Sequence, residues 1–288
     1  KAFGFEPATM GIVLTVLTLL IIFGGIQRVA KFSSTVVPLM AIVYLLIAVG
    51  VVIWNITSLP KVLLTIIENA FGFNQAAGGM LGITVIQGIK RGLFSNEAGE
   101  GSAPNAAAVA TVSHPVKQGL IQALGVFTDT LVVCSCTAFI ILVSGVDVTA
   151  SNGIQLTQDA LTHEIGSIGN PFVAVMIWLF AFSSIIGNYY YGETNVRYIK
   201  DSKLGVFIYR LAVAAMVMVG AVVSLDFAWS FADITMALLT LCNLVAIVLL
   251  SRQAVFLLQD YSKQKKEGKN PVFKKDMMPA IVAQLEAW

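Results

Sequence analysis

The chain has 288 residues, of which 57% are hydrophobic and 12% are charged, whereas soluble domains carry about 25% charged residues. A soluble fold of this length would have to bury more apolar surface than one core can hold, but lipid can take the place of a core. The net charge of +2 is not gathered into a basic stripe with interleaved aromatic residues, which argues against a nucleic-acid partner. The three cysteines and two histidines show no zinc-binding spacing, so no cofactor is predicted.

Long apolar runs predict the membrane spans. A helix needs about 20 apolar residues to cross the hydrocarbon core. Six runs qualify, at 8–26, 36–57, 118–144, 171–192, 204–225 and 230–251. A seventh run, from 78 to about 112, is interrupted by glycines and by charged residues. The sequence therefore predicts an all-α integral membrane protein with seven transmembrane helices, one of them discontinuous.

The distribution of Lys and Arg predicts the orientation. Basic residues follow the first span, precede the span at 118, lie between 192 and 204 and crowd the segment after 251. The loop 145–170 has three acidic residues and no Lys or Arg. We therefore expect an outside N-terminus, a cytoplasmic C-terminal tail and a location in the plasma (inner) membrane. The tail itself reads as a solvated segment without a role, although its end is also compatible with a short interfacial helix.

The interrupted run holds the first candidate site. Residues 72–101 contain eight of the 24 glycines, and the stretch SNEAGEGSAPN at 95–105 consists of helix caps and helix breakers. Unwound backbone at membrane depth is tolerated where it lines a cavity, and transporters use such breaks to hold substrates and ions. Thr84 and Gln87 are expected nearest the bilayer centre. Ser95 and Asn96 lie either in the pathway or at its inner mouth, or simply in a cytoplasmic loop.

Asp129 is the only formal charge within the span 118–144. A carboxylate at the bilayer centre costs at least about 2.5–3.5 kcal/mol, so a sodium ion, a basic partner such as Lys90 or Arg91, or a ring of hydroxyls and amides must offset it. Thr130, Cys134 and Thr137 share one predicted helical face beside it. Asp129 with Thr130 is therefore a candidate cation site, and a structural, hydrogen-bonded Asp129 is the alternative.

The span 171–192 supplies the third feature. Ser183 and Ser184 are adjacent hydroxyls that are able to ligate a hard cation, although serines more often fill close helix contacts. Trp178 either walls a small pocket or lies in the outer aromatic belt. Tyr189–Tyr191 and Glu193 are expected in the belt at the cytoplasmic end.

Three motifs resemble the alanine or glycine:cation symporter family. They are KRGLFSNEAGEGSAPNAAA at 90–108, FTDTLVVC at 127–134 and YYYGE at 189–193, and the resemblance extends to about residue 255. The first motif is long and specific. Glu100 departs from it, because an apolar residue, often Met, is expected there.

The resemblance implies a fold similar to that of the leucine transporter (LeuT), with two inverted five-helix repeats. Residues 1–57 would be the last two helices of the first repeat, 58–77 an extracellular connector, 78–255 the second repeat and 256–288 the cytoplasmic tail. The chain would then be a fragment without its N-terminal portion. The resemblance also implies that Ser183 and Ser184 ligate sodium and that Trp178 lines the amino-acid pocket.

The predicted function is sodium-coupled symport of alanine or glycine by alternating access, with sodium, a small neutral amino acid and the lipid bilayer as partners. A seven-helix receptor does not explain the polar break, and a membrane enzyme lacks a nucleophile or metal cluster beside its carboxylates. A passive channel also lines its pore with polar groups and stays open as an alternative.

Overall fold

The computed structural model describes residues 3–71, 86, 88–92, 94–148, 150–151 and 153–278. The regular structure in these ranges is helical. The helices are α1 (Pro7–Ile22), α2 (Ile26–Trp54), α3 (Leu59–Ala70), α4 (Ala103–Ala107), α5 (Pro115–Thr128), α6 (Ser135–Ser144), α7 (Ile154–Ile165), α8 (Gly169–Ile199), α9 (Lys203–Val222) and α10 (Leu225–Lys266). A π-helical turn, Asp129–Cys134, joins α5 to α6, and 3-10 turns lie at Gly166–Ile168 and Lys275–Met277.

Local sequence signals set several helix ends. Pro7 and Pro115 stand in the first turns of α1 and α5, where proline loses no intrahelical hydrogen bond and its φ suits the helix. The side chain of Ser202 caps α9 by accepting a hydrogen bond from the Gly205 amide at 3.0 Å. Gly25 adopts a φ of 82° between α1 and α2, which a residue with a side chain rarely takes up.

Five apolar helical segments among the described residues are long enough to cross a membrane. They are Lys31–Trp54, Pro115–Ser144, Ile154–Ile199, Lys203–Val222 and Leu225–Lys266. These segments contain most or all of five of the seven predicted runs. The first run forms the shorter α1, which ends at Ile22 before the Gly25 turn. The first part of the interrupted run, 78–85, lies outside the described residues, so the count of seven stays a prediction.

The chain forms two compact units. The first comprises Lys1–Gly92 with Thr130–Phe231, and the second comprises Leu93–Asp129 with Ala232–Trp288. We call the motif at 90–108, within the interrupted run, the interrupted motif. The unit boundaries fall just before its SNEAGEG stretch at 95–101, inside the π turn and near the start of α10.

The first unit has two buried apolar clusters. One joins α2, α3, α6, α7 and α8 around Met40, Ala48, Ile140 and Leu161. The other joins α1, α2 and α8 around Ile22, Phe182 and Ile186, with α9 packed against it. Many large apolar side chains face outward, and none in the 42-residue α10 is fully buried. Such surfaces are stable in lipid or against further protein, as expected of membrane helices.

Candidate functional site

The interrupted motif forms a tight turn between the helical residue Asn96 and α4. Glu97, Gly99 and Gly101 have φ values of 49°, 82° and 101°. A Cβ at Gly101 would also lie 3.0 Å from the Cβ of Asn243, and the Asn243 Nδ2 donates to the Gly99 carbonyl at 2.8 Å. The positive φ favours glycine at 101, and a side chain there would also require Asn243 to shift slightly. Glu97 is unusual because residues other than glycine rarely adopt a positive φ. Such strained backbone conformations cluster at functional sites.

Two carboxylates lie within this turn. Glu97 accepts a hydrogen bond from the hydroxyl of Ser102, which is buried. Glu100, the residue that departs from the family pattern, is only 6% exposed. The turn therefore presents acidic and hydroxyl oxygens together with backbone forced out of the helix.

Asp129 meets this motif directly. The Ser95 hydroxyl donates to the Asp129 Oδ2 at 2.6 Å, so a predicted substrate residue and a predicted cation residue lie side by side within the second unit. Asp129 stands about halfway along the Pro115–Ser144 span and opens the π turn. π turns inside α-helices are rare and frequently occur at functional sites. The sequence offered no signal for this turn.

The π turn changes the helical face predicted beside Asp129. Its extra residue breaks the α-helical spacing, and the Ser135 hydroxyl reaches the Thr130 carbonyl at 3.1 Å. Thr130 and Cys134 are exposed, whereas the Thr137 hydroxyl pairs with the Tyr44 hydroxyl at 2.6 Å inside the first unit. Thr130 and Thr137 therefore have different surroundings.

The α8 serines differ in their environment. Ser183 is half-buried and donates to the Phe180 carbonyl at 2.8 Å, whereas Ser184 is exposed. Adjacent residues on an α-helix point about 100° apart. A serine hydroxyl that donates to a carbonyl keeps its oxygen lone pairs for a cation. Both serines and Trp178 belong to the first unit, and Ser95, Asn96 and Asp129 belong to the second.

Trp178 stacks on Phe182, with ring centroids 5.6 Å apart. It lines a cavity of about 690 Å³ between α1, α7 and α8, together with Phe5, Met10 and Gln158 among others. The described lining residues are mostly apolar and carry no charge, so this cavity alone supplies no partner for the charges of an amino acid. Thr84 and Gln87 lie outside the described residues.

A charged cluster at the end of α8 corrects one sequence interpretation. Glu193, expected in the interfacial belt, is only 2% exposed. Its Oε1 accepts from the Arg197 Nε at 2.9 Å and Nη2 at 2.6 Å, and its Oε2 lies 3.5 Å from the Arg210 Nη2. The Arg210 Nε bonds the hydroxyl of Tyr189 at 3.0 Å, and Tyr189 is also buried. The i, i+4 spacing of Glu193 and Arg197 and the lone charge of Arg210 in its span were the available signals.

These features define a multi-pass helical membrane protein with a polar chain break and a carboxylate within a span. Residues 1–275 match the model of the Sodium:alanine symporter family, and the chain belongs to this family. The family name and the relatives' names indicate a transporter rather than an enzyme. The prediction of a membrane-embedded symporter family is thereby confirmed.

Curated relatives from Bacillus subtilis (strain 168) carry related names. The chain is 52% identical over 279 residues to the "Probable sodium/glutamine symporter GlnT", covering 96% of this chain and 58% of the relative. It is 52% identical over 287 residues to the "Amino-acid carrier protein AlsT", covering 100% and 61%. It is 39% identical over 290 residues to the "Putative sodium/proton-dependent alanine carrier protein YrbD", covering 95% and 60%. The chain thus spans about three fifths of the length of these relatives.

Proposed function

We propose that the protein is a sodium-coupled symporter that carries a small neutral amino acid into the cell by alternating access. Family membership supports this function. The observation that carries it is the hydrogen bond from Ser95 to Asp129, at the π turn halfway along a span. This contact links the chain break to a carboxylate within one unit.

The chemistry of that contact suits a coupling ion. A carboxylate at membrane depth needs a compensating positive charge or hydrogen bonds. Carboxylate, hydroxyl and carbonyl oxygens are the ligands that transporters offer to sodium at broken helices. We therefore assign Asp129 to the sodium site or its path, with Thr130, Ser183 and Ser184 as further candidate ligands.

The substrate is proposed to be alanine or glycine. The chain break, with Ser95 and Asn96 and the predicted residues Thr84 and Gln87, would hold the amino and carboxylate groups, because half-helix ends and freed backbone groups bind such charges. Trp178 would limit the size of the side chain from its apolar cavity. Glutamine, which names one relative, is the competing substrate.

The proposed architecture is LeuT-like, with 78–255 as the second inverted repeat, 1–57 as the end of the first and a cytoplasmic C-terminus in the plasma (inner) membrane. The five membrane-length helices are compatible with it. A passive channel is the second candidate, because polar groups line channels as well as carriers.

Uptake by the purified full-length protein in proteoliposomes tests the proposal. An inward sodium gradient should raise the alanine concentration inside the proteoliposomes above the concentration outside. A proton gradient alone should not produce this accumulation. Equilibration without accumulation would indicate a channel and refute the symport. Competition by glycine and glutamine would rank the substrates.

A further inference from the structure

The C-terminal tail has a structure that the proposed transport site does not use. Helix α10 has 42 residues, or about 63 Å at 1.5 Å per residue, which is roughly twice the thickness of the hydrocarbon core. Its end therefore extends beyond the bilayer, on the cytoplasmic side in the proposed topology. It runs without a break past residue 256, where the sequence predicted the tail to begin.

The chain reverses just after α10. Gly268 adopts a φ of 74°, and the Lys269 Nζ donates to the Glu267 Oε2 at 2.6 Å. That hydrogen bond and the ammonium charge lower the pKa of Glu267. The reversal returns residues 270–273 to the segment that precedes α5. We call residues 267–273 the tail strap.

The tail strap is fastened by three hydrogen bonds, two to Ser113 just before α5 and one to Lys117 in its first turn. The Phe273 amide donates to the Ser113 carbonyl at 2.8 Å, and the Ser113 hydroxyl donates to the Pro271 carbonyl at 3.0 Å. The Lys117 Nζ donates to the Asn270 Oδ1 at 2.5 Å. Phe273 is 6% exposed, so the strap also has an apolar anchor.

His114 lies at the centre of this contact and is fully buried. Its Nδ1 accepts the Val116 amide at 3.2 Å and so caps α5. Its Nε2 therefore carries the hydrogen that points to the Asp260 Oδ2, 3.2 Å away on α10. Its ring also contacts those of Tyr261 and Phe273. One side chain thus joins α5, α10 and the strap.

Gln264 fastens the strap to α10 itself. Its Oε1 accepts from the Val272 amide, and its Nε2 donates to the Val272 carbonyl, both at 3.0 Å. The Nε2 also donates to the Asp260 Oδ2 at 2.6 Å. The Gln264 amide thus pairs with both the N–H and the C=O of one residue, as a neighbouring backbone strand would.

Helix α10 consequently braces the chain at two points within the second unit, one inside the interrupted motif and one between that motif and α5. Its middle bonds the turn through Asn243 and Gly99, and its end, with the strap, holds Ser113 and His114. The strap contacts are mostly partly exposed hydrogen bonds, which belong to the less stable parts of a fold and open first.

We propose that the tail strap is a releasable restraint on residues 113–117, which connect the interrupted motif to α5, and that it must detach for each transport cycle. The inference rests on the proposed function, since detachment is needed only if the motif moves between inward-open and outward-open states. It gives the strap a role in setting the transport rate, without contact to the substrate.

A reversible cross-link in the full-length protein tests this inference. Lys117→Cys with Asn270→Cys, in a background where Cys134, Cys136 and Cys242 are replaced by alanine, is treated with a short bifunctional methanethiosulfonate. Because the restraint would then be permanent, cross-linked molecules should not transport, and the maximal uptake rate should fall roughly tenfold when about nine tenths of the protein is cross-linked. The alanine concentration for half-maximal uptake should change less than about twofold, and reductant should restore the rate.

The matched control is Gln259→Cys with Lys263→Cys, one turn apart on α10, because a cross-link within one helix restrains no other element. It should leave the rate unchanged. Gln264→Ala, compared with Gln259→Ala at an exposed position of the same helix, should release the strap and speed hydrogen exchange of the Phe273 amide several-fold.

Two results would overturn the strap. One is failure of the 117–270 pair to cross-link, and the other is a cross-linked protein that transports at the unmodified rate. Absence of sodium-driven uptake before any cross-linking would instead refute the proposed function, so the two failures are distinguishable.

Discussion

Replacement of Asp129 by Asn removes the carboxylate charge while keeping the size of the side chain and an oxygen that accepts from Ser95. A hydrogen bond to a charged group contributes about 1.5–3 kcal/mol, and the Ser95–Asp129 contact at 2.6 Å is of this kind. If sodium binding uses the charge to a similar extent, the loss corresponds to a roughly 10- to 150-fold weaker sodium affinity. The apparent affinity for alanine should fall with it, because coupling between two ligands is reciprocal.

The assay is the sodium concentration for half-maximal alanine uptake, normalised to folded full-length protein. Asp226→Asn is the matched control, since it removes the same charge from an exposed residue in the first turn of α10. If Asp129 is only structural, folded yield should drop while sodium dependence in the surviving protein stays normal. An unchanged sodium requirement would remove Asp129 from the ion path.

The remaining predictions concern α8. Ser183→Ala with Ser184→Ala should raise the sodium concentration for half-maximal uptake without changing net charge, and normal sodium dependence would return both serines to a packing role. Trp178→Ala should weaken alanine uptake and admit substrates with larger side chains. The selectivity against such substrates should fall by more than one methylene contributes, which is about 1–3 kcal/mol or about 10- to 200-fold. Unchanged competition by leucine would contradict this. Glu193→Gln should lower the free energy of unfolding by about 2 kcal/mol, below the 3–5 kcal/mol of a fully buried pair, because the Arg197 side chain is 40% exposed. Thermal melts of the purified protein measure this loss of stability. In these melts the control Asp201→Asn, at a side chain that is 75% exposed, should change the free energy of unfolding little.

The sequence by itself determined the class of protein, most of the spans and the position of the chain break. Whether a segment of about 20 residues partitions into lipid depends on its own hydropathy. Runs such as 36–57 and 204–225 therefore correspond to membrane-length helices in the structure. Glycine and proline act on their own backbone, so a break near 97–104 was predictable as well. The three motifs were specific enough to indicate the family that the comparison confirmed.

The tertiary structure alone decided how the polar residues are paired. Ser95 meets Asp129 across 34 positions, and Ser113 meets Pro271 across 158. Nothing in the local pattern specifies either contact, because a hydrogen bond depends on which elements pack together rather than on the residues beside it. Glu193 was interpreted as an interfacial residue for the same reason, because one of its partners, Arg210, lies on the next helix, 3.5 Å from its Oε2. A charge looks solvated in a sequence until the fold supplies the opposite charge that allows it to be buried.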